Sequence, residues 1–364
     1  GAPNPDEVKR RIDMLVDDWG ANFIRLDLES YGSSSVLSDA AYLEDVVEIV
    51  DHIGTKPGVY VLLSLWIDPT FTDMGWPTAA TRDVWRKLAQ TFRNHSFVMY
   101  GLVNEPQHNY DGAQNATVWN AMNDAVAAIR DVEDSYNTPR HIIAVQGVGG
   151  WSRFLGYYVN NPIEAGGGEN IAYEVHVYDP QSTFAERFVN PSNTLPVIIG
   201  EYGPMHGMSM NDCSVLQQRA FERDIPHLAW TFHMRCPPNL LVDNSNGGCG
   251  VDMPLEPTAW GHLFKNHLDA VNAAPLPAPE GRKHMFRKSA TTLAALALGL
   301  ILGIDPREPG LAAEQRLGIA ALAHALERVD DVTLDARKAL EVAVDDRLRL
   351  VGVDAEPAAE APPA

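Results

Sequence analysis

Cysteine and positive charge are both scarce in this chain. Its 364 residues hold three cysteines, Cys213, Cys236 and Cys249, and no Cys or His cluster has metal-ligand spacing. Neither a metal nor another cofactor is expected. Cys236 and Cys249 flank a loop rich in Pro, Asn and Gly, and their spacing would suit a small disulfide in an exported protein, with one thiol left over. Lys and Arg number 28 against 48 Asp and Glu, a net charge of -20. Such a surface repels phosphate, which argues against a nucleic-acid partner and fits a neutral substrate such as a polysaccharide. A charged-then-apolar leader is also lacking, and residue 1 is Gly. The natural start is therefore expected to be missing or processed away, and export cannot be read from this end.

What the chain does have is two glutamates, each closing a short apolar run. The first run is Phe97-Val-Met-Tyr-Gly-Leu-Val-Asn104-Glu105-Pro106, and the second is Leu195-Pro-Val-Ile-Ile-Gly200-Glu201-Tyr202-Gly203. Each is long enough for a strand buried on both faces and too short for a helix. A carboxylate directly after such a run is costly near a core unless a site uses it. A barrel of parallel strands gathers its C-terminal strand ends around one pocket, and two facing carboxylates are the minimum equipment for cleaving a glycosidic bond. The eight Trp add faces on which sugar rings can stack, although Trp also packs in cores.

Helical and strand patterns alternate along the first three quarters of the chain. Residues 5–19 read as a helix with Asn4 as cap and Gly20 as stop, followed by a strand over 21–28. Helices over 39–53, 79–93 and 115–132 alternate with strands over 58–66, 97–104 and 141–147. Further strands at 170–177, 195–201 and 226–232, with shorter helices between the later strands, and a helix over 257–272 complete the series. Seven strands and eight helices in this order predict an α/β fold of parallel βαβ units, a (β/α)8 TIM barrel lacking its first strand. The domain is expected over 1–275, followed by a Pro/Ala linker over 276–284, a helical region over 285–354 and a disordered tail over 355–364. Residues 289–304 carry no charge and follow Lys283, Arg287 and Lys288. That segment is marginally short for a membrane span, resembles a signal-peptide layout beginning at Met285, and could equally be a buried helix. The segment Arg347–Asp354 could return as a permuted strand to close the barrel. Loss of an upstream strand is the alternative the Arg347 and Arg349 charges favour.

The pieces Ala21-Asn-Phe-Ile-Arg25-Leu, Asn104-Glu105-Pro106, His176-Val-Tyr178, Gly200-Glu201-Tyr202-Gly203 and Ala229-Trp230 fall on successive strand ends. In that order they resemble glycoside hydrolase family 5, the cellulase-like family of clan A, over roughly residues 5–272. The resemblance implies a retaining β-glycosidase. It would make Glu105 the acid/base and Glu201 the nucleophile, with Asn104 on the sugar 2-hydroxyl and Arg25 beneath the nucleophile. His176 and Tyr178 would join the carboxylate network, and Trp230 would floor the sugar site. One departure is that the strand ending Leu63-Ser-Leu65-Trp66 closes on Trp where the family commonly has His, which implies an altered sugar-binding edge. The other is the missing strand.

Trp66, Trp76, Trp151 and Tyr110 follow or flank strand ends and are candidate subsite walls; Trp260 lies on a helix and reads as packing. His95, His108, His206, His227 and His233 show no ligand spacing and read as solvated or core residues. The expected partner is a β-linked polysaccharide, most simply β-1,4-glucan, with β-mannan and β-1,3-glucan as rivals within the class. A non-catalytic carbohydrate-binding barrel is the rival outside it. A monomer is expected, secreted or, through 289–304, in contact with a membrane.

Overall fold

The computed structural model describes residues 4–66, 75–247 and 250–273, all within a compact unit, Gly1–Ala274. The expectations for the linker, the helical region, the apolar run 289–304, the closing strand Arg347–Asp354, the tail and the Cys236–Cys249 pair lie outside the described residues. No helix among those described is long and apolar enough to cross a membrane.

Helix α1 (Pro5–Asp13) begins where the Asn4 side chain accepts from the Glu7 N–H, runs on through a π turn at Met14–Asp18, and stops at Gly20, whose φ of +74° suits glycine. Strand β1 (Phe23–Leu28), α2 (Ala40–Gly54, capped by Asp39), β2 (Tyr60–Leu65) and α3 (Ala79–Phe92, capped by Thr78) follow the expected alternation. Next come β3 (Val98–Gly101), α4 (Asn115–Tyr136), β4 (Ile143–Gln146), the short α5 (Gly156–Asn160) and β5 (Ile171–Val177). Strand β6 (Val197–Tyr202), α6 (Met210–Phe221), β7 (His227–Ala229) and α7 (Ala259–Ala273) complete the unit.

Three differences from the sequence reading have physical causes. Helix α4 continues one turn past 132, because buried Glu133 is held by the Arg130 guanidinium and by the His141 backbone N–H and ring. That charged residue breaks the apolar period without breaking the helix. The β5–β6 connection is made of 3-10 and π turns at Gln181–Thr183, Ala185–Val189 and Pro191–Asn193, with no α-helix. Strand β7 ends at Ala229, because Thr231 exchanges hydrogen bonds with Pro238 and Leu240 rather than with a strand neighbour.

The sheet is wholly parallel, in the order β1-β2-β3-β4-β5-β6-β7. Among the described residues, seven strands with alternating helices make a nearly closed barrel that is open between β7 and β1. There the two edges face a slot of about 240 Å³ lined by Ile24, Leu26, Leu228 and Ala229 among others. Val8, Ile12 and Leu15 on the α1 side and Phe264 of α7 also line it, so helices cover the edges that would otherwise invite mispairing. Side-chain ties reinforce the cover. Buried Glu7 bonds Arg10, Arg11 and the Asp252 N–H, and Arg10 and Arg11 reach the Met253 and Gly250 carbonyls. Lys265 and Asn272 of α7 donate to the Asp18 and Gly20 carbonyls.

A neutral histidine pair fixes α7 to β7: the Nε2 atoms of His227 and His267 are 2.8 Å apart, so one ring must donate and the other accept. Burial lowers both pKa values, that of His267 to about 4. Unfolded imidazoles take up protons near pH 6.5, while the folded pair resists protonation. Stability is therefore full above about pH 6.5 and falls as the pH drops towards 4, by up to about 1.4 kcal/mol per pH unit for each such group. Chemical denaturation between pH 7 and 4.5 should show this decline, and His267→Phe should flatten it. An unchanged slope in the variant would refute the assignment.

Candidate active site

The barrel interior has an apolar floor of Phe23, Leu62, Met99, Ala144, Ala172, Ile198 and Leu228. Side chains alternate across a strand, so two residues further on the inward positions are Arg25, Ser64, Gly101, Gln146, Glu174, Gly200 and Trp230. Next along their strands come Asp27, Trp66 and His176. Strict alternation would turn Glu201 outward, because Ile198 points in. A bulge prevents this: the β5–β6 register shifts after Val175↔Ile199, so that His176 pairs with Glu201 and Gly200 is the extra residue. Glycine is required there. A Cβ on Gly200 would lie 1.9 Å from Glu174 Oε1.

Arg25 is the hub of the site, with 5% of its side chain exposed. Its Nη1 donates to Glu201 Oε1 at 2.6 Å, and its Nη2 donates to Asn104 Oδ1 at 2.6 Å and to Ser64 Oγ at 3.0 Å. Tyr178 Oη donates to the other Glu201 oxygen, Oε2, at 2.8 Å. His176 bridges two carboxylates, with Nδ1 2.8 Å from Glu105 Oε1 and Nε2 3.1 Å from Glu174 Oε1. Glu174 in turn accepts from Gln146 Nε2 at 2.6 Å, and Gln146 Oε1 accepts from the Val103 N–H at 3.1 Å. That last bond ties the network to the backbone leading into Asn104 and Glu105.

The electrostatics follow from two buried cations among four carboxyl groups. Burial alone would lower the His176 pKa, but the charges of Glu201, Glu105 and Glu174 outweigh it and raise the value to about 10. The ring is thus an imidazolium that donates from both nitrogens. Burial works in the same sense on Arg25 and is overcome by Asp27, Glu201 and Glu174, which hold it charged. Glu174, opposed by burial, stays below the usual carboxylate range through His176 and Arg25. Burial and the nearby Glu201 charge keep the Tyr178 phenol protonated. Ligand atoms of Glu105, His176 and Glu201 lie within 4.8 Å of one another, which would suit a cation. With the imidazole protonated, however, the His176 nitrogen offers a proton where a metal would need a lone pair.

The aromatic candidates divide. Trp230 stacks on Trp66, with centroids 5.6 Å apart and planes at 10°. Its carbonyl accepts from Trp260 Nε1 at 2.9 Å, and its side chain lies near Cys236. Trp260 is buried, as packing requires. Trp151 and Tyr110 are exposed beyond β4 and β3, and Trp151 N–H donates to the Pro106 carbonyl, which draws that loop to the Glu105 turn. Trp76 is half-buried against the main core. Of the histidines, His95 pairs with Asp51, His227 with His267, and His108 and His206 are exposed.

Sequence reasoning missed four members of the network: Glu174, Gln146, Ser64 and Asp27. Glu174 carried a signal, since it shares the period-2 face of His176 and Tyr178 within a strand buried throughout. Asp27 did too, because it shares the inward face of Arg25. Gln146 closes one ordinary apolar run and Ser64 interrupts another, and neither carried a signal.

Comparison with known proteins gives this site its context. The model of the cellulase family (glycosyl hydrolase family 5) matches residues 4–234. Beta-mannanase/endoglucanase A of Caldicellulosiruptor saccharolyticus is 23% identical over 71% of this chain and 19% of its own length. Endoglucanase B of Ruminococcus albus is 25% identical over 62% of this chain and 64% of its own. The chain thus spans about a fifth and under two thirds of these relatives. Among solved structures, the catalytic domain of an endoglucanase from Thermobifida fusca, in complex with cellotetraose, shares the fold at TM-score 0.59 and 18% identity. It covers 71% of this chain and 85% of that domain. By its matched family model, its barrel fold and the relatives it resembles, the chain belongs to glycosyl hydrolase family 5.

Proposed function

We propose that the chain is a retaining, endo-acting β-glycosidase acting on β-1,4-glucan. The observation that carries the retaining reading is the closeness of Glu105 and Glu201, whose nearest ligand oxygens lie within 4.8 Å. Carboxyl groups about 5–5.5 Å apart suit double displacement, whereas inversion leaves roughly 6.5–9.5 Å for a water. Glu201 is equipped as the nucleophile. Arg25 and Tyr178 each hold one of its oxygens, which fixes the orientation of the carboxylate. Glu105, with 15% of its side chain exposed, reaches the open side, where it can pass a proton to the glycosidic oxygen.

In the first step a Glu201 oxygen bonds to the anomeric carbon. The glycosidic C–O bond breaks, and Glu105 gives its proton to the departing oxygen. In the second step Glu105, now a carboxylate, takes a proton from water. The resulting hydroxide bonds to the anomeric carbon and Glu201 leaves with the electrons of its ester bond. Asn104, oriented by Arg25, is placed to bond the sugar 2-hydroxyl, and Trp230 backed by Trp66 offers the aromatic floor. The endoglucanase names of the relatives support glucan as substrate. The β-mannanase half of one relative's name supports β-mannan as a second reading, which initial rates on soluble glucans and mannans would separate. A polymer of this kind also favours an extracellular site of action.

Glu201→Gln should abolish turnover, by at least about 10⁴-fold, while denaturation curves show a folded protein. A 2-fluoro glycoside should label Glu201 in the wild type. A label elsewhere, or an inverted first product by NMR, refutes the double displacement.

Glu105→Ala should lose about 10²–10⁴-fold on polysaccharide and much less on an aryl glycoside with a good leaving group. Azide should restore part of the aryl activity as a substitute second nucleophile. Equal losses on both substrates without azide rescue would remove Glu105 from the acid/base role and favour a non-catalytic barrel.

A further inference from the structure

Asp27 takes no part in the mechanism above, yet it shares an arginine with Glu201. On β1 it lies two residues beyond Arg25 on the same inward face, directly across the ladder from Ser64. Arg25 Nη1, which holds Glu201 at 2.6 Å, also donates to Asp27 Oδ2 at 3.3 Å. Arg25 Nη2, which holds Asn104 and Ser64, lies 3.2 Å from Asp27 Oδ1. The two Asp27 oxygens therefore straddle the guanidinium edge from which the bonds to Glu201 and Asn104 depart. Oδ1 is buried and has no hydrogen-bond partner among the described residues, so its tie there is the ion pair with Arg25 Nη2.

We propose that ionised Asp27 is a positioning residue, which clamps the Arg25 guanidinium in the plane that presents one nitrogen to Glu201 and the other to Asn104. The inference rests on Glu201 being the nucleophile. A guanidinium is planar and its donors are fixed relative to one another, so a tilt that lengthens one bond lengthens both. Without the clamp, Glu201 and Asn104 would lose their common support together. The sugar itself need not touch Asp27, so binding is spared while chemistry is not.

The clamp titrates in an accessible window. Burial and the charges of Glu201 and Glu174 raise the Asp27 pKa to about 6, against the opposing pull of Arg25 and His176. The other groups that act on it are Tyr42 of α2 and Cys236 in the loop after β7, and burial raises both of these. Arg25 and His176 stay charged and Glu174 stays ionised through this range. Asp27 is thus ionised above about pH 6 and neutral below it, where it becomes equivalent to Asn.

The test compares kcat and KM on a soluble β-glucan for wild type, Asp27→Asn and Asp27→Ser between pH 4.5 and 8, with Glu201→Gln as reference. At pH 7.5 both Asp27 variants should lose about tenfold or more in kcat, with KM within about twofold of wild type. Below pH 5 wild type and Asp27→Asn should converge, because protonated Asp27 and Asn are alike. A loss independent of pH, no loss, or a rise in KM alone overturns the proposal. Folding is checked for each variant by its denaturation midpoint, and Asp27→Ser serves if the Asn variant does not fold. If Glu201→Gln is inactive while the pH dependence is absent, the Asp27 inference alone fails. If Glu201→Gln is active, the nucleophile reading fails first.

Discussion

Everything around the site is arranged to keep one guanidinium charged, dry and immobile. An isolated buried cation costs several kcal/mol after relaxation, and only close opposite charge and hydrogen bonds offset that. Arg25 meets this with Glu201, Asn104, Ser64 and Asp27 at its two terminal nitrogens, and with Glu174 3.6 Å from Nε. Those partners come from β1, β2, β5, β6 and the segment after β3, so one side chain joins most of the barrel. The same constraint sets the chemistry, since the nitrogen that holds Glu201 and the one that holds Asn104 belong to one rigid plane.

Room for this polar layer comes from residues that are absent as much as from those present. Gly200 supplies the bulge that turns Glu201 inward, and it leaves the space that Glu174 fills. Glu174 then joins Glu201 and Glu105 in holding His176 as a cation, and His176 meets Glu105. A single backbone irregularity in β6 thereby governs both carboxylates at once: one by direct rotation, the other through a buried acid and an imidazolium. Any Cβ at position 200 would displace Glu174, so the fault would propagate to the far side of the site.

The order of the strands, the two ends of the first helix and the closeness of Glu105 to Glu201 were legible because each rests on local signals. Asn4 and Gly20 punctuate α1, the one through its capping side chain and the other through its backbone freedom. Apolar runs that stop at a carboxylate mark strand ends. Gln146 and Ser64 were not legible, because their meaning lies in what faces them across the barrel, which spacing along the chain does not encode; Glu174 shared a strand face with His176 and Tyr178 and was passed over. The one-turn extension of α4 was hidden for a related reason: Glu133 looks like a surface residue until Arg130 and His141 close on it. Asp27 sat in plain view beside Arg25, but a second charge on a strand reads as solvent-facing unless the inward face is already known.

The open seam between β7 and β1 explains where rigidity has been moved. Arg25 lies on β1 and Trp230 directly follows β7, the two strands that lack a second neighbour among the described residues, so ladder hydrogen bonds hold each from one side alone. Side chains take over on the other side. Arg25 is fixed by its acceptors rather than by β1. Trp230 is fixed by stacking on Trp66, by the Trp260 bond to its carbonyl and by its contact with Cys236. Outside the barrel, Glu7, Lys265, Asn272 and the His227–His267 pair bind the covering helices across the same gap. These bonds are fewer and more exposed to water and protons than a strand ladder would be. The edge that carries half the site is therefore also the part of the fold that acid reaches first.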